Sequence, residues 1–167
     1  GTSVYELGTK TFEIPKLNNY FPDYEVRYIE HIDYDGSWLV ATSNGLVIYH
    51  DDNQSLRHLN YFGNYETSLP DNDLKCMCKI SDEMVFIGTS NGICEFDAKN
   101  RNIKRIDLNA LTRNKSLKLD VSNIIPFSDK EVMIATYTNG LYIYNYQNNT
   151  AIHISKFNKF NAISENY

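Results

Sequence analysis

The chain has 167 residues, 42% apolar and 13% aromatic, with 22% charged and a formal net charge of −5. This balance excludes a disordered chain, and the lack of a Lys/Arg cluster excludes the basic footprint of a nucleic-acid groove. No apolar run approaches the roughly 20 residues of a membrane span, and Gly1 to Lys10 show no basic start followed by an apolar stretch, so no signal peptide is read there.

The aromatic residues are 13 Tyr and 8 Phe against one Trp, and Asn occupies 20 positions. Tyr and Phe suit pleated strands while Asn suits turns, so the composition leans towards all-β. Self-comparison decides the organisation, because three segments align. They are Trp38 to Tyr49, Val85 to Phe96 and Val132 to Tyr144, the last with one extra residue at Tyr137. Their turn glycines, Gly45, Gly92 and Gly140, lie 47 and 48 residues apart, a period in the range of propeller blades.

In chain order, residues 1–20 read as the outer strands of a preceding blade. Gly1 to Tyr5 aligns with Gly45 to Tyr49, and Thr11 to Leu17 fits strand d. Residues 21–68 form the first whole blade, with its strands between Val26 and Leu59 and the a–b turn at Asp33-Tyr34-Asp35-Gly36. Residues 69–118 form the second. There Leu74 to Ile80 alternates as strand a, and Met84 to Gly88 is apolar on both faces, as a central strand covered on both sides should be. Asn91-Gly92 is a hairpin signal because both residues tolerate positive φ; Ile93 to Phe96 and Ile103 to Ile106 follow as strands c and d. Residues 119–156 repeat the pattern from Val121 to Ile154, and 157–167 read as the start of a next blade, with Ala162-Ile163-Ser164 opening its strand a.

The expected fold is therefore all-β: a partial β-propeller of about three complete four-stranded blades plus a half-blade at the N-terminus. Propellers close with four to eight blades, so this arc is expected to leave two apolar faces open. At about 400 Å2 each, that exposure forgoes on the order of 10 kcal/mol. The partners expected from this are the remaining blades of a longer polypeptide or a second copy of the chain.

Trp38-Leu39-Val40-Ala41-Thr42-Ser43-Asn44-Gly45-Leu46 resembles the blade signature of two-component regulator propellers, W-I-G-T-x-x-G-L followed by an aromatic. Ile87-Gly88-Thr89-Ser90-Asn91-Gly92-Ile93 and Ile134-Ala135-Thr136-Tyr137-Thr138-Asn139-Gly140-Leu141 match it too. Leu69-Pro70-Asp71-Asn72-Asp73-Leu74 is similar to the family's turn into strand a, and Phe21-Pro22-Asp23 echoes it. The resemblance covers nearly the whole chain; Val85 and Val132 depart from the Trp, and Ala41 and Ala135 from the Gly. It implies the periplasmic sensor region of a hybrid two-component histidine kinase of gut Bacteroidetes, anchored in the inner membrane. Such members carry two large propellers and a smaller β-sandwich, and they often sense oligosaccharides. No phosphoacceptor, ATP-lid or receiver motif is in this chain, so it is read as non-catalytic. The alternative is a propeller scaffold for protein–protein contact, and a third class is a propeller lyase or glycosidase.

No residue constellation in the sequence points to catalysis, a metal or a cofactor. His31, His50, His58 and His153 are scattered and lack a nucleophile motif. Asp33-Tyr34-Asp35-Gly36 and Asp71-Asn72-Asp73 lack the Glu of a calcium loop and read as turns. Cys76, Cys78 and Cys94 show no zinc or disulfide spacing and read as buried thiols. Trp38 reads as inter-blade packing rather than a sugar platform, because Val85 and Val132 align with it. The ligand candidates lie where the segments leading into strand a meet the b–c turns: Tyr24, Arg27, Asn72, Lys75 and Tyr137, with Asn123, Thr42, Ser43 and Ser90 beside them. No direct membrane contact is expected.

Overall fold

A computed structural model describes residues 4–6, 8, 11–13, 24–50, 52–62, 67–113 and 118–154. Three four-stranded antiparallel sheets follow one another in the chain, each a meander of sequential neighbours. The first holds β3 (Val26–Ile32), β4 (Ser37–Thr42), β5 (Gly45–His50) and β6 (Ser55–Leu59). The second holds β7 (Leu74–Lys79), β8 (Met84–Thr89), β9 (Gly92–Asp97) and β10 (Asn102–Ile106), and ends in a one-turn helix, α1 (Leu108–Thr112). The third holds β11 (Val121–Ser128), β12 (Glu131–Thr136), β13 (Leu141–Asn145) and β14 (Thr150–Ile154). Ahead of them β1 (Val4–Glu6) pairs with β2 (Thr11–Glu13), as strands c and d of a half-blade would. The remainder of the expected strand d, and the stub at Ala162 to Ser164, lie outside the described residues.

The faces of the central strands explain the stacking. Along β8, Val85 and Ile87 pack with Leu39, Leu46, Ile48, Met77 and Phe96 in a core between the first two blades. Phe86, on the other face, joins Cys76, Cys78, Ile93, Val132, Ile134, Tyr142 and Tyr144 in a core between the second and third. Strand periodicity of two thus puts one strand into both cores. Gly88 belongs to the second contact, where a Cβ would fall 2.5 Å from Val121 Cγ1 and 2.7 Å from Cys76 Sγ. The three thiols are buried and unpaired with one another, and burial pushes Cys76 and Cys94 up to about 12 and Cys78 up to about 11.

The T-x-N-G signature is a clasp that closes each b–c turn. Thr42 Oγ1 donates to the Gly45 carbonyl at 2.8 Å and accepts the Asn44 N–H at 3.0 Å. Thr89 does the same with Gly92 and Asn91 at 2.9 and 3.1 Å, and Thr136 with Gly140 and Asn139 at 2.8 and 3.0 Å. The glycines supply φ values of +108°, +125° and +78° that a side chain would oppose.

The outward face of the third sheet is apolar across all four strands. Ile125, Met133, Ile143 and Ile152 are direct ladder neighbours in one row, with Ile125 46% and Ile152 63% exposed. The matching row of the first sheet, Glu30-Leu39-Ile48-Arg57, and that of the second, Cys78-Phe86-Glu95-Lys104, both end in a charge and both face the next blade.

The three aligned positions differ in exposure. Val85 and Val132 are fully buried, but Trp38 is 40% exposed. Its indole lies against the His31 ring at 4.6 Å, on the face of β4, shared with Val40, that points away from the second blade.

Candidate functional site

Two sets of backbone hydrogen bonds bring the b–c turns and the segments preceding strand a onto one rim. The residue after each clasp threonine donates to its own blade's lead-in: Ser43 N to Glu25 O at 2.9 Å, Ser90 N to Asp73 O at 2.9 Å and Tyr137 N to Asp120 O at 3.0 Å. The turn glycine donates to the next blade's lead-in: Gly45 N to Asn72 O at 2.6 Å and Gly92 N to Leu119 O at 2.7 Å.

Each strand a then opens with an acidic residue, Glu25, Asp73 or Asp120, followed by a β-bulge spanning Val26/Tyr28, Leu74/Cys76 and Val121/Asn123 respectively. A bulge re-aims the inserted side chain, and the inserted residues are Arg27, Lys75 and Ser122. Arg27 reaches across the blade boundary to Asp73 at 2.5 Å and pairs with Glu25 at 3.0 Å, while Lys75 holds the same Asp73 at 2.6 Å. Burial works against the Arg27 charge, but the Glu25 and Asp73 carboxylates outweigh it and hold its pKa above the ordinary value.

The sequence candidates are therefore only partly assembled. Arg27 and Lys75 converge on Asp73. Asn72 sits beside them, its Oδ1 accepting the Tyr61 N–H at 2.7 Å. Tyr24 lies on the other side of the first sheet, 5.8 Å from the His58 ring and against Val40 and Val47. Tyr137, 67% exposed, stands apart on the third blade. Of their neighbours, Thr42 is buried inside its clasp, and Ser43 Oγ accepts the Glu25 N–H at 3.1 Å. Asn123 lines a cleft of about 520 Å3 at the strand-a edges of the three sheets, with Tyr28, Glu30, Lys79 and Ile125.

A larger cleft, about 760 Å3, went unrecognised in the sequence. It opens on the same rim around Asn91 and Gly92. Pro70, Ile93, Ile106 and Leu119 give it an apolar floor, and Thr67, Lys104, Asp107 and Asn109 add polar groups. Arg105 edges it and is held by Ser68, Nε to the backbone carbonyl at 2.8 Å and Nη2 to Oγ at 2.9 Å. No spacing rule would have gathered these residues, which come from four separated stretches of chain. The turns read as non-metal are occupied by their own backbones: Asp35 Oδ1 accepts the Ser37 N–H, and Asp71 Oδ1 the Asp73 N–H. Among the described residues no group of three His, Cys, Asp or Glu side chains is placed to hold a metal ion.

No protein-family profile matches the chain, and no curated protein matches it in sequence. Solved structures do match. The extracellular domain of a B. thetaiotaomicron protein named as a hybrid two-component system superposes with a TM-score of 0.67 at 17% identity, over 79% of this chain and 18% of its own. The extracellular domain of a protein from the same organism named as a one-component system gives 0.69 at 23% identity, over 90% and 19%. The β-propeller domain of Myceliophteria thermophila Cps50 (Swd1) gives 0.54 at 7% identity, over 77% and 38%. The chain is an arc of a β-propeller. It spans about a fifth of the length of the two extracellular domains, and at these identities the likeness shows the fold. Among the described residues no helix is long and apolar enough to cross a membrane.

Proposed function

We propose that this arc is a non-catalytic sensory segment of an extracytoplasmic, periplasmic propeller in a two-component sensor, and that its rim contributes to recognising an oligosaccharide. The observation that carries the reading is the likeness of the arc to the extracellular domains of two B. thetaiotaomicron regulatory systems. The rim supports it chemically, since backbone turns hold amides, cations and carboxylates in fixed positions above an apolar cleft. A ligand at that rim changes a downstream signal only by binding two global states unequally. The direct test is a printed array of neutral and uronate-bearing oligosaccharides, followed by calorimetry on any that score. Binding is expected, and a silent array overturns the reading.

The apolar row on the third sheet favours a protein contact as well. Its occupants are further blades of a longer polypeptide or a second copy of this chain. Sedimentation of the chain is expected to show concentration-dependent association; a single monomeric species at all concentrations would refute that contact in trans.

A further inference from the structure

We infer that the cleft beside Asn91 and Gly92 is a subsite for one saccharide ring, formed because Arg105 stands in the second blade where the first and third place a plugging histidine. The inference rests on the oligosaccharide reading above and gives it a location.

The plug is a strand-d histidine. His58 Nε2 donates to the Asn44 carbonyl at 2.6 Å, and His153 Nε2 donates to the Asn139 carbonyl at 2.6 Å, each across 14 residues. His58 stands opposite Val47 in its ladder and His153 opposite Tyr142. In the second blade the same place, opposite Cys94, belongs to Arg105. Its guanidinium is drawn away to the Ser68 and Leu69 carbonyls and over the Tyr61 ring, 5.2 Å from the centroid. Among the described residues no side-chain donor replaces the histidine at the Asn91 carbonyl.

The glycines report the difference independently. A Cβ on Gly45 would strike His58, Leu59 and Asn60, so that turn is covered. A Cβ on Gly92 would meet one described side chain, Pro70 at 3.3 Å, so that turn is less crowded. Beside it lies the 760 Å3 cleft, large enough for a ring of pyranose size.

The lining chooses the ligand. A pyranose has an apolar C–H face and an equator of hydroxyls. The Pro70, Ile93, Ile106 and Leu119 floor suits the face. The Asn91 carbonyl, which no described side chain caps, and the Asp107 carboxylate can accept from hydroxyls, and the Lys104 ammonium can donate to them or meet a uronate. A flat hydrocarbon would leave these polar groups unpaired on binding, which a site of this composition penalises.

The test combines the array with two variants and amide mapping. Arg105→His rebuilds the plug of the other blades and is expected to weaken binding of the best-scoring glycan at least tenfold. Lys104→Ala touches an exposed side chain, leaves the fold intact and is expected to weaken it several-fold. With 15N-labelled chain, that glycan is expected to shift the Asn91 and Gly92 amides. Binding that survives both variants and leaves those amides unmoved overturns the subsite while the oligosaccharide reading stands. A silent array removes both.

Discussion

Gly88→Ala is the sharpest test of how the second and third blades fit. The added methyl would sit 2.5 Å from Val121 Cγ1, 3.0 Å from its Cβ and 2.7 Å from Cys76 Sγ, against an optimum near 3.5–4.0 Å for carbon pairs. Val121 and Cys76 are both buried, so the sheets must part by about 1 Å or Val121 must leave its rotamer. Overpacking of this kind costs about 1–3 kcal/mol. Replacing a strand glycine returns about 0.5–1 kcal/mol of backbone entropy. The overpacking wins, for a net loss centred on about 1 kcal/mol and at most about 2.5, or roughly 2–4 °C in Tm per kcal/mol for a chain of this size. Ala41 and Ala135 occupy the same position in the other blades, so the penalty comes from Val121 rather than from alanine in this strand. Thermal and urea unfolding by circular dichroism measure it, and a Gly88→Ala/Val121→Ala double variant should recover most of the loss. A Gly88→Ala protein as stable as the parent would refute the close packing.

Four further outcomes are expected. Thr89→Val keeps the shape but removes the hydroxyl that bonds Gly92 O and Asn91 N; it should cost about 1–3 kcal/mol, read as a lower urea midpoint with unchanged slope. The three thiols should resist Ellman's reagent at pH 8 until the chain is unfolded. Because the folded thiols titrate at about 11–12 against an ordinary 9.0, the folded chain holds the extra protons, and stability should decline as pH rises above about 9. At Asp35, burial raises the carboxyl, but the Ser37 hydrogen bonds and Arg101 outweigh it and hold it below its usual 3.8. Its contribution is present above that value and lost as pH falls through the depressed one. Arg101→Ala, which removes an ion pair crossing from the second blade to the first, should bring acid unfolding to a higher pH.

The repeat was legible because it is written in local chemistry. A threonine, an asparagine and a positive-φ glycine close each turn among neighbouring residues, so the first unit from Val26 to Leu59 and the third from Val121 to Ile154 match the observed strands. The helix at Leu108–Thr112 was not anticipated; its only local sign is Asp107, whose side chain accepts the Ala110 N–H. Site chemistry was harder to read for the same physical reason. Arg27 and Asp73 are 46 residues apart, and Arg101 and Asp35 are 66 apart, so each pairing exists only once the blades dock. Trp38 shows the converse: it aligns with the fully buried Val85 and Val132, yet it lies on the face of β4 turned away from the second blade and is 40% exposed. The cleft beside Asn91 was invisible because it arises from where the Arg105 side chain turns.

The hydrogen bonds from Gly45 to Asn72 and from Gly92 to Leu119 join consecutive blades by backbone alone. An amide that donates to a neighbouring blade exchanges with solvent only when the two blades separate or the whole arc unfolds. Native-state hydrogen exchange at these two glycines therefore measures the free energy of parting one blade from the next. The amides inside each ladder measure the persistence of the blade itself. Substitutions such as Gly88→Ala should lower protection at Gly92 more than at Gly45, making the rim a two-point gauge of where along the arc a strain is felt.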